Sequence, residues 1–235
     1  MSEFIDPKLT SPFYFARKGL YQAALDFSKY VKGGRLLDFG CGGKPYKSLM
    51  NVSEYIGLDY ENEGHPHQNE QIDVLYDGGK LPFKNEQFDY ILCTEVFEHL
   101  FDLDEKLIEF NRVLKSNGLI FVTCPFIWNE HEVPFDYARY TMFALNHKFE
   151  KNNFEVVSCY KSGTFIETYT QLFFTYFSKK EVRYKSNEIG LFKKCVIFLI
   201  NLFGKGLSKL LPNNESIYLT NVFIAKKIEP KITGK

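Results

Sequence analysis

The sequence lacks the features that mark nucleic-acid-binding, disulfide-rich or membrane-spanning proteins. Its 29 basic and 29 acidic residues give a formal net charge of +0, so no overall field attracts nucleic acid. The five cysteines are scattered, odd in number and without CxxC spacing, which argues against a disulfide framework or a zinc site. The longest apolar run, residues 195–200, is far too short to cross a bilayer, and residues 1–10 contain no apolar stretch typical of a signal peptide. We therefore expect a cytoplasmic protein without a metal centre.

The composition is that of one globular domain. The chain has 235 residues, 45% of them hydrophobic, which is enough for one well-buried core but favours one elaborated domain over two. Aromatic residues are abundant at 17%, and many of them cluster late in the chain. We find no internal repeat and no low-complexity linker.

Strand-like and helix-like segments alternate through the first half of the sequence. Short apolar runs predict strands at 35–39, 55–59, 72–76, 88–93 and 119–124. Helical spacing of apolar residues predicts helices at 14–31, 44–50 and 103–114, and a turn is expected at Asn117-Gly118. The later part predicts a helix at 140–152 and strands at 154–160 and 217–226. Because the strands are continuously apolar, this pattern indicates a mainly parallel sheet covered on both faces.

A glycine-rich turn directly follows the first predicted strand. Gly40-Cys41-Gly42-Gly43 would let the backbone approach a ligand closely, as in sites for dinucleotides and for S-adenosylmethionine. The dinucleotide pattern G-x-G-x-x-G fails, because Pro45 stands where its third glycine would be. No phosphate-binding loop of the G-x-x-x-x-G-K-[ST] type is present.

The segment Leu36-Leu-Asp38-Phe-Gly40-Cys-Gly42-Gly resembles motif I of the class I S-adenosylmethionine-dependent methyltransferases. Further features follow in that family's order, including Phe88-Asp89-Tyr-Ile and Thr94-Glu-Val-Phe-Glu-His99-Leu. The resemblance covers about residues 33–125. It implies a Rossmann-like, doubly wound α/β fold with a mainly parallel sheet of about seven strands, and S-adenosylmethionine as cofactor.

The same resemblance assigns cofactor-binding residues. Asp59, about 20 residues after motif I, matches the acid that binds both ribose hydroxyls, and Asp77 matches the acid near the adenine amino group. A carboxylate suits a diol because it accepts two hydrogen bonds. Cys41 invites interpretation as a nucleophile, but we expect it to fill space beside the cofactor. The predicted cofactor site comprises Asp38, Gly40, Cys41, Gly42, Asp59, Tyr60, Asp77, Gly78, Thr94 and Glu95.

Candidate catalytic residues lie in the polar segment 128–141, after the fifth predicted strand. His131 is the preferred general base, because its ordinary pKa lies nearest to 7. Asp136 could orient His131 or bind substrate hydroxyls, and Arg139 could hold an anionic substrate group. The alternative is a polar loop with a structural Asp136–Arg139 pair. His99 is a competing base, although the resemblance places it near the cofactor.

The pattern W-x-x-H-x-x-P-x-D-x-x-R-Y-T in this segment also resembles methyltransferases of bacterial surface-polysaccharide gene clusters. That resemblance implies methylation of a sugar hydroxyl on a glycan, a nucleotide-sugar or a lipid-linked precursor. Two alternatives remain open: an N- or C-methyltransferase of a lipid or quinone-like acceptor, and a non-catalytic cofactor-binding module. Nucleic acid is not expected as a partner, because the chain has no basic stripe.

An aromatic-rich helical insertion, residues 162–213, precedes the last predicted strand. Within it, one helical stripe is polar, with Lys194, Asn201, Lys205 and Ser208, and the opposite stripe is apolar, with Leu191, Cys195, Leu199, Leu202 and Phe203. This pattern is typical of a lid or dimer helix, or of a helix at about 190–211 that contacts the inner face of a membrane. The single domain 1–235 thus divides into 1–33, the cofactor core 34–125, the acceptor side 126–161, the insertion 162–213 and the tail 214–235.

Overall fold

The computed structural model describes residues 7–60, 71–177 and 190–229. Its strands are β1 (Arg35–Phe39), β2 (Glu54–Tyr60), β3 (Val74–Tyr76), β4 (Phe88–Thr94), β5 (Leu114–Pro125), β6 (Phe154–Ser162) and β7 (Thr220–Lys227). Its helices are α1 (Tyr14–Ser28), α2 (Leu103–Val113), α3 (Met142–Lys151), α4 (Phe165–Phe177) and α5 (Leu191–Leu210). Short 3₁₀ turns occur at Lys47–Leu49 and Phe97–His99.

The strands form one seven-stranded sheet in the order β3-β2-β1-β4-β5-β7-β6. All pairs are parallel except those of β7, which runs antiparallel to both β5 and β6. The chain winds outward from β1 to β3 and then returns to β4, so the order reverses between β1 and β4. Ligands of such sheets bind at the carboxyl ends of the strands beside this reversal. The predicted doubly wound α/β fold is confirmed.

Helices cover both faces of the sheet, as its apolar strands require. On one face α1 inserts Phe27, which stacks on Phe121 of β5 at 4.9 Å between ring centroids. On the other face α2 and α3 bury Phe110 and Phe149 in the larger hydrophobic cluster. Full burial of each such side chain contributes about 1.5–3 kcal/mol, so this two-sided core fixes the sheet that carries the strand ends.

Two local expectations were wrong. Residues 44–50 do not form a helix, because Lys44 adopts φ 51° and precedes a proline, which disfavours helical backbone; only the 3₁₀ turn Lys47–Leu49 follows. Asn117-Gly118 is not a turn ahead of a strand either. Asn117 has φ 62° and lies inside β5, opposite the register shift that separates Phe88 from Tyr90. The strand therefore begins at Leu114 and bulges in the manner of a β-bulge.

The described part of the insertion forms α4 and α5, which pack on each other and on the start of the chain, whereas residues 178–189 lie outside the described residues. The Gln171 side chain of α4 donates to the Pro12 carbonyl at 2.8 Å and accepts from the Ala16 amide at 3.2 Å. From α5, Asn201 donates to the Leu9 and Ser11 carbonyls. Within the three described stretches, no helix combines the length and hydropathy needed to cross a bilayer.

Candidate active site

The glycine turn after β1 forms a tight loop at the carboxyl end of that strand. Gly40 has φ 72° and Gly42 has φ 44°, both in the left-handed region that favours glycine. The amides of Gly40 and Cys41 both donate to the Leu58 carbonyl of β2, at 2.9 and 3.1 Å. A Cβ atom on Gly40 would clash with Val96, so the turn is in close contact with the segment after β4.

Asp59 lies directly against this turn. Its Oδ2 accepts from the Gly42 amide at 2.6 Å, and its Oδ1 accepts from the Tyr60 amide at 2.8 Å. These two contacts orient the carboxylate, a group whose oxygens are the acceptors that a diol requires. The structure thus brings Asp38, Gly40, Cys41, Gly42 and Asp59 together, and the ribose-binding role of Asp59 stays a prediction.

Asp38 is buried beneath the turn. Burial raises the pKa of its carboxyl to about 7, against the opposing effect of the Tyr55 hydroxyl, which donates to Asp38 Oδ2 at 2.5 Å. Burial, reinforced by the Asp38 charge, also raises the pKa of the Cys41 thiol. A protonated thiol is a poor nucleophile, so the geometry favours the space-filling role expected for Cys41.

A buried lysine, Lys44, which was not predicted from the sequence, holds the glycine turn in place from the side of β2. Lys44 Nζ donates to Asp73 Oδ2 at 2.7 Å, and the Gly57 amide donates to the same oxygen at 2.6 Å. A Cβ atom on Gly57 would clash with the Lys44 side chain, so Lys44 crosses β2 where only glycine fits. A lysine next to a proline gave no indication of this role.

The predicted adenine side opens onto a cavity of about 530 Å³, which is lined by Tyr60, Leu75, Tyr76, Asp77, Lys80 and Pro82. Gly78 adopts φ 97° beside the Tyr60 ring. Lys106 of α2 holds this turn in place by donating to the Tyr76 hydroxyl at 2.5 Å and to the Gly78 carbonyl at 3.3 Å. Asp77 and Gly78 therefore lie beside a cavity of the size that small-molecule sites have.

Two acids follow β4, beyond Thr94 at its end: Glu95, which is partly exposed although its Oε1 is buried, and Glu98, which is buried. Glu95 has φ 54°, and burial raises the pKa of its carboxyl to about 7. Glu98 is fully buried, and neither of its carboxyl oxygens has a hydrogen-bond partner. Burial, followed by the neighbouring Glu95, raises the pKa of Glu98 well above its usual value. Strained backbone and unpaired buried acids are features that cluster at functional sites. Only Glu95 of this pair was predicted from the sequence.

His131 reaches this acid pair from the segment after β5. Its Nδ1 lies 3.2 Å from the Asn129 carbonyl and 3.3 Å from Asp136 Oδ2. Because both neighbours accept hydrogen bonds, Nδ1 carries the proton. Its Nε2 lies 3.8 Å from Glu98 Oε1. The His99 ring packs edge-on against the His131 ring at 4.8 Å. Burial, and then the nearby His99, lower the pKa of His131, so its imidazole is neutral at pH 7 and able to accept a proton.

Asp136 and Arg139 form the structural pair that was the alternative expectation. Arg139 donates to both carboxylate oxygens of Asp136, at 2.5 and 2.7 Å, and also to the Asn129 carbonyl at 3.0 Å. Although burial alone would raise it, the Arg139 guanidinium and the His131 amide hold the pKa of Asp136 below its usual value. Asp136 is therefore an anion held beside His131, and the guanidinium of Arg139 binds that carboxylate.

Glu98, His99 and His131 also offer ligand atoms that lie within 4.8 Å of one another, as the described residues show. One carboxylate and two imidazoles are donors that a divalent cation accepts. The absence of a metal centre expected from the sequence stays a prediction.

The glycine turn, the acid near the end of β2 and the cavity beside β3 lie in a part of the chain that is similar to a known family. Residues 37–122, less than half of the chain, match the family model described as a methyltransferase domain. The match begins in β1 and ends in β5, so the acceptor-side segment and the helical insertion lie outside it.

Relatives and solved structures agree with the methyltransferase domain. A ubiquinone biosynthesis O-methyltransferase of Pelagibacter ubique is 30% identical over 40% of this chain and 43% of its own length. The chain spans between 37% and 51% of the length of the curated relatives it matches. The structure of a SAM-dependent methyltransferase from Archaeoglobus fulgidus has a TM-score of 0.57 at 20% identity, covering 92% of this chain and 97% of that one.

A second structure was solved with the cofactor of this family. Phosphoethanolamine N-methyltransferase 2 of Haemonchus contortus, in complex with S-adenosyl-L-methionine, has a TM-score of 0.53 at 15% identity. The similarity covers 88% of this chain and 52% of that one. At these identities the structures show the shared fold.

Proposed function

We propose that the chain is a cytoplasmic S-adenosylmethionine-dependent O-methyltransferase acting on a hydroxyl of a small or lipid-linked acceptor, with a sugar hydroxyl as the first candidate. The observation that supports this most is the neutral His131 imidazole, oriented by Asp136 and connected to the glycine turn through Glu98 and Val96. An alcohol needs such a base, because its own pKa lies far above 7.

The residues of the turn fit the cofactor. Gly40 packs its backbone closely against Val96, the Gly42 amide donates to Asp59, and Asp77 borders the cavity. These residues would hold S-adenosylmethionine, which supplies an electrophilic methyl group when bound. The chain contributes little covalent chemistry, so its main task is to position the acceptor in line with the methyl carbon.

His131 would handle the proton of the acceptor. Its Nε2 carries the lone pair, because Nδ1 donates to the Asn129 carbonyl. When the acceptor hydroxyl is methylated, its proton would pass to His131 Nε2. The Asp136 anion beside Nδ1 stabilises the imidazolium that forms. Glu98, which is buried 3.8 Å from Nε2 of both His99 and His131, borders the path of that proton.

Methyl transfer from radiolabelled S-adenosylmethionine to glycans, nucleotide-sugars and lipid-linked sugars tests the proposal. We expect His131→Gln to lower kcat by about 10²-fold or more, while the Kd of S-adenosylhomocysteine changes less than about twofold. The control is His147→Gln, since His147 is exposed on α3. The wild-type rate should also fall at acid pH as His131 becomes protonated. Equal rates for His131→Gln and wild type on a methylated hydroxyl acceptor would contradict the proposed base.

A phenolic acceptor is the second candidate. It is favoured by the Pelagibacter relative, whose name states O-methylation in ubiquinone biosynthesis. Phenol hydroxyls ionise more readily than sugar hydroxyls, so a phenolic substrate should depend less on His131. Including catechols in the acceptor panel separates the two candidates. Strong cofactor binding with no transfer to any acceptor would instead favour the non-catalytic module.

A further inference from the structure

Helix α5 is attached to the protein by its polar side. Asn201 is fully buried, and its side-chain amide donates to the Leu9 and Ser11 carbonyls at 2.8 and 2.9 Å. One turn further along, Gly204 is buried, and a Cβ atom there would come within 2.5 Å of Thr170 on α4. Ser208 shares a hydrogen bond of 2.9 Å with Thr164. The packed face therefore comprises Asn201, Gly204 and Ser208, whereas Lys194 and Lys205 of the polar stripe lie at its border and are partly exposed.

The apolar side of α5 consequently faces away from the protein. Its outward residues are between 46% and 83% exposed and comprise Leu191, Phe192, Leu199, Leu202, Phe203 and Leu210. At about 100° per residue they fall within one third of the helix circumference. Helix α4 also exposes aromatic residues, among them Tyr169 and Tyr176. A contiguous apolar surface of this kind marks an interaction site rather than ordinary solvent exposure.

The charges on α5 decide between occupants. Residues 191–210 contain four lysines (Lys193, Lys194, Lys205 and Lys209) and no acidic residue. On the helical projection, Lys193 lies beyond one edge of the apolar stripe, and Lys205 and Lys209 lie at the other. A second copy of this chain would set the four lysines of one helix near those of its partner. An anionic surface complements them instead, since long lysine side chains reach to lipid phosphates while apolar neighbours insert.

We propose that α5 docks this protein on an anionic lipid membrane, lying parallel to the surface with Phe192 and Phe203 at the boundary between headgroups and acyl chains. A helix with a strong apolar stripe and a lysine-rich border binds membranes in this orientation, with its apolar side about 5–10 Å deep. The interaction is peripheral and reversible, and it is independent of methyl transfer.

The docked surface leads to the acceptor segment. Thr175 of α4 hydrogen-bonds to the Asn129 side chain at 3.4 Å, and the Asn129 carbonyl accepts from both Arg139 and His131. Docking through α5 would hold the segment that carries His131 close to the lipid surface. This placement favours an acceptor carried on a lipid, a conclusion that rests on the proposed function.

Sedimentation of the full chain with vesicles tests the docking. The vesicles contain phosphatidylcholine, with or without phosphatidylglycerol, and the variants are Phe192→Asp and the double variant Phe192→Asp/Phe203→Asp. The matched control is Phe143→Asp, because Phe143 is as exposed on α3 (84%) as Phe192 is on α5 (81%). Melting temperature and binding of S-adenosylhomocysteine verify that each variant is folded.

We expect the wild type to sediment with phosphatidylglycerol vesicles, and the double variant to bind at least about tenfold more weakly. The Phe143→Asp control should bind like the wild type. Lys193→Glu/Lys209→Glu should also weaken binding, whereas Lys32→Glu/Lys84→Glu should not.

Absence of wild-type binding to anionic vesicles would overturn the proposal. So would a wild-type dimer in light scattering that Phe192→Asp converts to monomer, because a second copy would then be the occupant. Failure of the proposed function is distinguishable, since it would leave vesicle binding intact while no acceptor is methylated.

Discussion

Replacing Asp38 with Asn should make the protein more stable at neutral pH, although it removes a residue of the glycine-turn motif. Asp38 is 2% exposed, and burial raises the pKa of its carboxyl from 3.8 to about 7. The folded state therefore holds a proton that the unfolded state has released. A raised folded-state pKa means that stability is fully present below about pH 4 and declines as the pH rises towards 7.

The magnitude follows from the two pKa values. The difference between the unfolded pKa of 3.8 and the folded pKa of about 7 corresponds to about 4 kcal/mol of unfolding free energy lost between pH 4 and 7.5. Asn cannot ionise, and its side-chain oxygen can still accept from the Tyr55 hydroxyl. We therefore expect Asp38→Asn and the wild type to be similarly stable near pH 4, and the variant to be more stable by several kcal/mol at pH 7.5.

Urea unfolding at pH 4.5, 6 and 7.5, without cofactor, measures this difference. Asp89→Asn is the control with the opposite sign, because the Arg35 amide and Lys115 hold the pKa of Asp89 below its usual value despite partial burial. Because a lowered pKa stabilises the folded state fully above the unfolded pKa of about 3.8, that variant should be less stable than the wild type by a similar amount at all three pH values. Parallel pH profiles for Asp38→Asn and the wild type would refute the argument that Asp38 is buried in its neutral form.

Three further substitutions probe the architecture. Gly40→Ala should lower the unfolding free energy by about 1–2 kcal/mol because of the left-handed backbone, and by more because of the clash with Val96. It should also weaken S-adenosylhomocysteine binding at least about tenfold in calorimetry. Adding Val96→Ala should recover part of the lost stability and binding. Lys44→Met should lower the unfolding free energy by only about 1 kcal/mol, because Asp73 is half-exposed and solvent screens its ion pair with Lys44. An unchanged urea midpoint would contradict a stabilising role of this ion pair. Thr141→Ala should cost about 1 kcal/mol by removing the N-terminal cap of α3, measurable by thermal melting.

The parts of the fold that follow from local pattern were predictable. Continuous apolar runs gave β1 and β4 to within a residue, and glycines with positive φ marked the turn at Gly40 and Gly42. Prediction failed where apolar spacing was given more weight than a proline. Residues 44–50 are not helical, because Lys44 precedes Pro45 and adopts φ 51°. The sequence also could not show that the Lys44 side chain reaches Asp73, which lies 29 positions along the chain.

The candidate site divides in the same way. Asp59 was predicted because it ends a strand at a spacing that the family shares. Glu98 was not, since nothing in the sequence shows that its carboxyl is buried without a partner next to two histidines. The two roles open for Arg139 could not be separated without knowing that both of its terminal nitrogens contact Asp136.

The assignment of the chain as a methyltransferase depends most directly on the cofactor site at Asp59. Calorimetric titration of S-adenosylhomocysteine into wild type, Asp59→Ala and the distant surface control Glu155→Ala tests it. We predict micromolar binding by the wild type and by Glu155→Ala, and binding at least about tenfold weaker, or about 1.4 kcal/mol, for Asp59→Ala. A folded wild type that binds no S-adenosylhomocysteine, or an Asp59→Ala variant that binds as tightly as the wild type, would contradict the assignment of this site.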